Sequence, residues 1–412
     1  MPELREVVVV DAVRAPTGRA GWGGKKQGIF HDVSAQTMLA QVMAELIRRV
    51  QAKAPAFDVG DIEDIAVGCG NQIGEQARIG WLVRIALGLP AEVAGWTMER
   101  ACPASLQAIN AQAQAIMCGH GDVMIAGGVE MMSRYPLGSN LDAAVKAGIP
   151  VLSDPRVAER GFVLMGVAAE MVAERYDLSR EAMDRFGLWS QQKAVQAVRD
   201  REWYQRRVVP ITVERDGQAV VVERDEGLRE EAVDDPEAAW ERMSRLEPRF
   251  KENGLVTAGS SSGIVDGAAA VMLMSREKAD ELGLEPMVRV RSVAVGACDP
   301  VIMLLGPIPA MRKALARGGL TMSDMDVIET NEAFASPVLA QCLEFGLAFD
   351  DPRINPTGGA IAIGHPIGGS GALYFTEMVH HMVRHDLRYG IQTLCGGGGQ
   401  AAATIVERVA WS

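Results

Sequence analysis

Three residues of this chain stand in settings that could do chemistry: Cys102 just before a proline, His365 among six glycines (358, 359, 364, 368, 369 and 371), and Cys395 opening a run of four glycines. Pro103 stands at a natural first helical position, and residues 104–117 read as a buried helix, so the macrodipole and free N–H groups would stabilise a Cys102 thiolate. The glycines around His365 permit close backbone approach and positive φ, and Pro366 fixes a turn. A solvent-reaching imidazole on a rigid loop is expected there, able to take the proton of a nearby thiol. Cys395 leaves two readings open. It is a second thiol for acid/base work beside Gly396 to Gly399, whose N–H groups could hold an oxyanion, or it joins Cys102 and His365 in a metal site, for which no close-spaced ligand pair speaks. Cys69, Cys118, Cys298 and Cys342 lie in apolar or turn contexts and read as structural.

Elements must bring these residues together. The chain has 412 residues, enough for two domains or one large α/β assembly, and its 48% hydrophobic and 23% charged residues suit a large core. Net charge is −12, which argues against nucleic-acid or anionic-membrane partners, so an anionic substrate would need a local basic patch. Arg242, Arg245 and Lys251 could supply one or could form a solvated charged face. Six cysteines without a CxxC pair indicate free thiols, and no signal peptide or membrane-length apolar run is visible, so a cytoplasmic protein is expected.

Residues 7–10 read as a buried strand, 35–50 as a helix capped by Ser34, 62–67 as a strand, and 122–126 as a strand closing at Gly127-Gly128. Helices over 165–176 and 182–198 and a hairpin over 208–222, turning at Asp216-Gly217, follow; residues 199–253 are charge-dense and read as exposed. The pattern then resumes with strands at 268–274, 288–295 and 326–329, helices at 309–317 and 372–383, and a strand ending near Leu394. Both ends of the chain thus run loop, buried helix, strand, paired glycines. Such a pseudo-duplication would place the Cys102 and His365 loops at equivalent ends of two related sheets.

Six stretches in order resemble the thiolase family of acetyl-CoA acyltransferases and acetyltransferases: Cys102 in its context, residues 126–133, residues 257–267, Asn331-Glu332-Ala333-Phe334-Ala335, Gly364-His365-Pro366-Ile367-Gly368 and Cys395-Gly396-Gly397-Gly398. The resemblance implies an α/β, duplicated αβαβα layered fold of two mixed five-stranded sheets with an inserted loop domain. Its halves would be residues 1–128 with 256–280, and 281–412, the insert being 129–255. It implies thiolytic cleavage of a 3-oxoacyl-CoA, or the reverse Claisen condensation, with coenzyme A as substrate, no permanently bound cofactor and no metal. Cys102 would be the nucleophile, His365 its base and Cys395 the second acid/base. Asn331 with His365 would form one oxyanion site, and the N–H groups of Cys102 and Gly397 the other. Ser262, Ala258, Met165, Ala333 and Phe334 match positions along the CoA pantetheine path. The resemblance further implies fatty-acid β-oxidation as the setting and a homodimer or homotetramer; apolar residues such as Trp81 or Tyr135 could serve an interface or simply pack.

Departures from the family pattern concern the acyl group. Pro103-Ala104-Ser105 replaces small-Ser-Gly, Leu164 stands where acetoacetyl-type enzymes carry histidine, Ser260 replaces asparagine, Ala401 replaces glycine, and residues 148–163 look long. A substrate other than simple acetoacetyl-CoA is expected. A decarboxylating condensing enzyme of the same superfold, a silent acyl-CoA-binding subunit and a structural zinc protein are the alternatives.

Overall fold

A computed structural model describes residues 4–21, 28–148, 154–155, 163–215 and 217–408. Its strands form from β-branched and small-residue runs: β1 (Val7–Arg14), β2 (Gly18–Arg19), β3 (Asp64–Gly68), β4 (Ala94–Met98), β5 (Val123–Glu130), β6 (Ile211–Arg215), β7 (Gln218–Val222), β8 (Val265–Ser275), β9 (Val288–Ala297), β10 (Val327–Thr330), β11 (Tyr389–Gly396) and β12 (Gln400–Glu407). Every residue of β1, β5 and β8 is buried, as strands covered on both faces require.

One hydrogen-bonded path runs β4-β3-β5-β8-β1-β9-β12-β11-β10, with β2 paired to β8 beside it. It is two mixed sheets set edge to edge. In the first half β3 pairs in parallel with β4 and β5, while β8 is antiparallel to β5 and β1. In the second, β10 and β11 are parallel and β12 is antiparallel to β11 and β9, with Ile354 bridging to Ile328 where a fifth strand would lie. Between the two sheets, β1 and β9 pair through Val8 with Arg289 and Val9 with Val288.

Two helices, Ala104–Met117 and Ser370–His385, fill the layer between the sheets. Leu106, Ile109 and Ile116 from one and Leu373, Phe375 and Met378 from the other share a core with Val9 and Met124 of the first half and Leu394 and Val406 of the second. The Ala35–Lys53 helix covers the outer face of the first half, and the Pro307–Gly318 helix that of the second. Ser34 caps the former by accepting from the Thr37 N–H, and Met38, Leu39, Val42, Met43, Leu46, Ile47 and Val50 form its buried stripe. The layers are therefore helix, sheet, helix pair, sheet, helix. No helix among the described residues is long and apolar enough to cross a membrane.

Several boundaries differ from the sequence reading. β5 does not close at Gly127-Gly128 but continues to Glu130, because both glycines pair with β8 and β3. A Cβ at Gly128 would lie 2.4 Å from that of Ser105, so glycine there admits the first central helix. Ile62 ends a short turn, and its strand starts at Asp64. Pro103 caps the central helix instead of opening it. Cys118 is exposed at that helix's end, not buried as a structural thiol would be. Tyr135 is half-buried, its hydroxyl packed near Gly74, whereas Trp81 is 45% exposed. Residues 199–253 are not uniformly exposed, since Arg207 and Asp225 are buried within a charge network. Asp216 and most of residues 148–163 lie outside the described residues.

Candidate active site

The close approach of the two central helices creates the site. A Cβ on Gly371, in the second helix, would fall 2.1 Å from the Leu106 backbone nitrogen of the first, and one on Gly368 would fall 2.3 Å from Gly70 N. Ser105 of the first helix accepts a hydrogen bond from Ala372 N at 2.9 Å, satisfying an N–H at the start of the second. No side chain among the described residues caps the first helix. Its N-terminal end faces the turn carrying Cys102, whose preceding residue, Ala101, is held at φ +49°.

Cys102 packs against Met132 and against Ile367, two residues beyond His365. Cys395 is the penultimate residue of β11, whose end meets the same turn: a Cβ on Gly396 would meet Pro103 Cδ at 3.0 Å and Arg100 O at 3.1 Å, and one on Gly397 would meet Ala101 Cβ at 3.9 Å. Burial raises the pKa of Cys102, and the neighbouring Cys395 would raise it further if it were ionised. Ile328, Glu329 and Thr330 run in register beside β11, and Asn331 then donates its N–H to Thr393 O at 3.1 Å. Its Nδ2 lies 3.4 Å from His365 Nε2, while its Oδ1 is buried without a partner among the described residues. Cys102, Cys395, His365, Asn331 and Gly397 are thus gathered at one place from both halves of the chain.

His365 is only 8% exposed, not solvent-reaching. The packing of the two halves on its loop encloses the ring. Its backbone N–H donates to Gly263 O at 2.8 Å, and its Nδ1 lies 2.5 Å from Ser370 Oγ. With Asn331 Nδ2 a donor toward Nε2, the partners assign the proton to Nδ1 and leave Nε2 as acceptor. A hydroxyl, not a carboxylate, orients this imidazole, and burial lowers its pKa to about 4. Burial likewise pushes the Cys102 thiol well above its ordinary value and the Cys395 thiol up to about 12. At neutral pH the resting pair is therefore thiol and neutral imidazole; the helix dipole expected to favour a thiolate is outweighed by desolvation. A neutral imidazole can accept a proton, and a thiol of high pKa can donate one.

Glu130, buried at the end of β5, holds the surrounding loops together. Its oxygens accept from Gly70 N at 2.8 Å, Asn71 N at 3.1 Å, Gln76 Nε2 at 3.0 Å and Gly368 N at 3.0 Å. Sequence reasoning assigned no role to Glu130 or Ser370. An acidic residue at the end of a wholly apolar strand was the available signal for the first.

Of the five residues matched to the CoA path, Ser262, Ala333 and Phe334 lie together, Ala333 and Phe334 following closely on Asn331. Ser262 N donates to Ala333 O at 3.0 Å, Ser261 bridges to Phe334, and Phe334 meets Phe250 edge-on at 5.6 Å between centroids. Met165 packs on the same cluster, and Ala258 is exposed on the short turn leading to Ser262. Of the three cations singled out, Arg242 pairs with Glu231, Arg245 with Glu241 and Lys251 with Glu174, as in a solvated charged face. Arg229, which sequence reasoning missed, has no carboxylate partner among the described residues and lies in the positive field of Arg19 and Arg242. No group of three or more His, Cys, Asp or Glu among the described residues is placed to hold a metal ion.

The N-terminal domain model of thiolase matches residues 7–277, and the C-terminal domain model matches residues 284–408. The chain is 40% identical over 407 residues to a 3-ketoacyl-CoA thiolase of Marinomonas sp. strain MWYL1, covering 98% of each chain. It is 39% identical over 418 residues to an acetyl-CoA acetyltransferase of Syntrophomonas wolfei, covering 98% of this chain and 99% of that one. The crystal structure of Bacillus anthracis acetyl-CoA acetyltransferase superposes with a TM-score of 0.86 at 32% identity, covering 99% of this chain and all of the other. With both domain models matched in order and its relatives aligned from end to end, the protein belongs to the thiolase family.

Proposed function

We infer that the protein is an acyl-CoA:acetyl-CoA C-acyltransferase, cleaving a 3-oxoacyl-CoA with CoA to acetyl-CoA and a shortened acyl-CoA, or running the reverse condensation. The observation that carries this reading is the meeting of two buried thiols with a neutral, hydroxyl-oriented histidine beside an unpartnered Asn331 Oδ1. In the proposed cycle His365 Nε2 takes the Cys102 proton as the sulfur attacks the keto carbon. The bond between the keto carbon and C2 then breaks, leaving the acyl group on Cys102, and the Cys395 thiol protonates C2 to give acetyl-CoA. The Cys395 thiolate next takes the thiol proton of free CoA, whose sulfur displaces the acyl group; Cys102 recovers its proton from His365. Asn331 and His365 would face one developing oxyanion, and the N–H groups of Cys102 and Gly397 the other.

CoA enters this account as a substrate and not as a resident cofactor. Ser262, Ala258, Met165, Ala333 and Phe334 would line the pantetheine arm, with Arg229 and Arg19 meeting the anionic end. Leu164, 72% exposed where acetoacetyl-type enzymes carry histidine, supports a substrate bulkier than acetoacetyl-CoA. A homo-oligomer is supported by the edge strand β4 beside exposed Trp81, Ile85 and Trp96, and a β-oxidation setting by the likeness to a 3-ketoacyl-CoA thiolase.

The test is turnover of a panel of 3-oxoacyl-CoAs with CoA, followed by mass spectrometry of the thioesters. Shortened acyl-CoA and acetyl-CoA in equal amounts are expected, with higher kcat/KM for medium, branched or ring-bearing chains than for acetoacetyl-CoA. A marked preference for acetoacetyl-CoA would sink the specificity reading, and absence of any cleavage would sink the reaction.

A further inference from the structure

A buried charge cluster lies behind the His365 loop, and the reaction just described makes no use of it. Arg14, at the end of β1, grips Asp225 with both terminal nitrogens at 2.8 and 2.9 Å and reaches Glu377 of the second central helix with Nε at 2.7 Å. Arg207 meets the other Glu377 oxygen at 2.8 Å, and the Tyr204 hydroxyl donates to Asp225 at 3.0 Å. Two cations and two anions are thereby enclosed, none more than 4% exposed. Burying four charges is costly, and well-packed apolar groups can serve stability as well. What the cluster does provide is a fixed direction for each group.

That direction leads to the histidine. Thr17 donates its backbone N–H to Asp225 Oδ1 at 2.8 Å, and Glu226 N donates back to Thr17 O at 2.9 Å. The Thr17 hydroxyl lies 2.6 Å from Ile363 O and 3.1 Å from Asp225 Oδ1; its single proton goes to the shorter contact. Ile363 is two residues before His365, and between them Gly364 takes φ +106°. A Cβ on Gly364 would lie 2.4 Å from Val265 Cγ1. Within the loop the N–H groups of Ile363 and Gly364 donate to Gly359 O and Ala360 O, and three contacts from outside it fix the backbone entering His365: the Thr17 hydroxyl on Ile363 O, the Tyr374 hydroxyl on Gly364 O, and Gly263 O on the His365 N–H. Only the first is tied to the charge cluster.

We propose that Thr17 and Asp225 are positioning residues for the base of the reaction, holding Ile363 O so that His365 is aimed at Cys102. The inference rests on His365 acting as that base. Thr17→Val removes the hydroxyl at constant shape and Thr17→Ser restores it; kcat, KM, melting temperature and the rate of Cys102 alkylation by iodoacetamide are measured for both and for His365→Ala. Thr17→Val is expected to lower kcat and slow alkylation by about tenfold while KM stays within about twofold. Thr17→Ser is expected to return both rates to within about twofold of the parent. A folded Thr17→Val with parental kcat and alkylation, a change confined to KM, or a loss that serine does not restore would overturn the proposal. If Thr17→Val does not fold, Asp225→Asn is judged by the same rates. Failure of the underlying reading looks different: His365→Ala would then leave turnover and alkylation unchanged.

Discussion

The two central helices begin in the same place and are used differently. Each half of the chain leads a loop into the N-terminus of a buried helix, and glycines bring the two starts into contact. The start of Ser370–His385 is satisfied from across the interface by Ser105, and Ser370 itself orients His365. The start of Ala104–Met117 lacks such a side-chain cap and is left facing Cys102. A duplicated unit has thus been divided between a helix end that faces the nucleophile candidate Cys102 and one that holds a neutral imidazole in place. The division teaches that neither half is competent alone, because each end's partner comes from the other.

Breaking the nucleophile end should have the largest effect. Cys102→Ala is expected to lower kcat by ~10⁴-fold or more and to abolish any acyl adduct. At the other end, His365→Ala should cost on the order of 10³-fold. Cys395→Ala should slow turnover by on the order of 10²–10⁴-fold, yet adduct should still form on Cys102, separating the two thiols by role. The contact between the helices is probed by Gly371→Ala, whose methyl would meet the backbone of Leu106 at 2.1 Å. A stability loss of about 3 kcal/mol in denaturant titration is expected.

The smallest effect concerns a buried histidine within the Ser370–His385 helix. His380 is buried on Ala12 O at 2.8 Å, and burial lowers its pKa to about 4. Its neutral form contributes stability that is complete above the unfolded value near 6.5 and is lost as pH falls toward about 4. His380→Gln should therefore flatten the fall in unfolding free energy across that window by about 1.4 kcal/mol per pH unit, measured by denaturant titration at several pH values.

Much of this division was legible in the sequence because it depends on residue type and order. A cysteine before a buried helix, a histidine in a glycine-rich loop and a cysteine before four glycines mark their own sites. The repeat of loop, helix, strand and glycines foretold the two related halves. What could not be read depends on packing between distant segments. The enclosure of His365 requires both halves, and Arg14 meets Asp225 across 211 positions of chain. β12 went unrecognised because Ala401, Ala402 and Ala403 carry no strand propensity; they are small so that the strand can lie between helices on both faces. Gly127 and Gly128 read as a strand end for the converse reason, since glycine marks both turns and close approach.

The central claim is that one cysteine, activated from the other half of the chain, carries the acyl group. Intact-protein mass spectrometry after mixing with a 3-oxoacyl-CoA, with the parent beside Cys102→Ala and with peptide mapping, tests it most directly. A single acyl adduct on Cys102 that disappears on adding CoA and is absent from the variant is expected. Adduct on Cys395 instead, or cleavage that persists in Cys102→Ala, would contradict it.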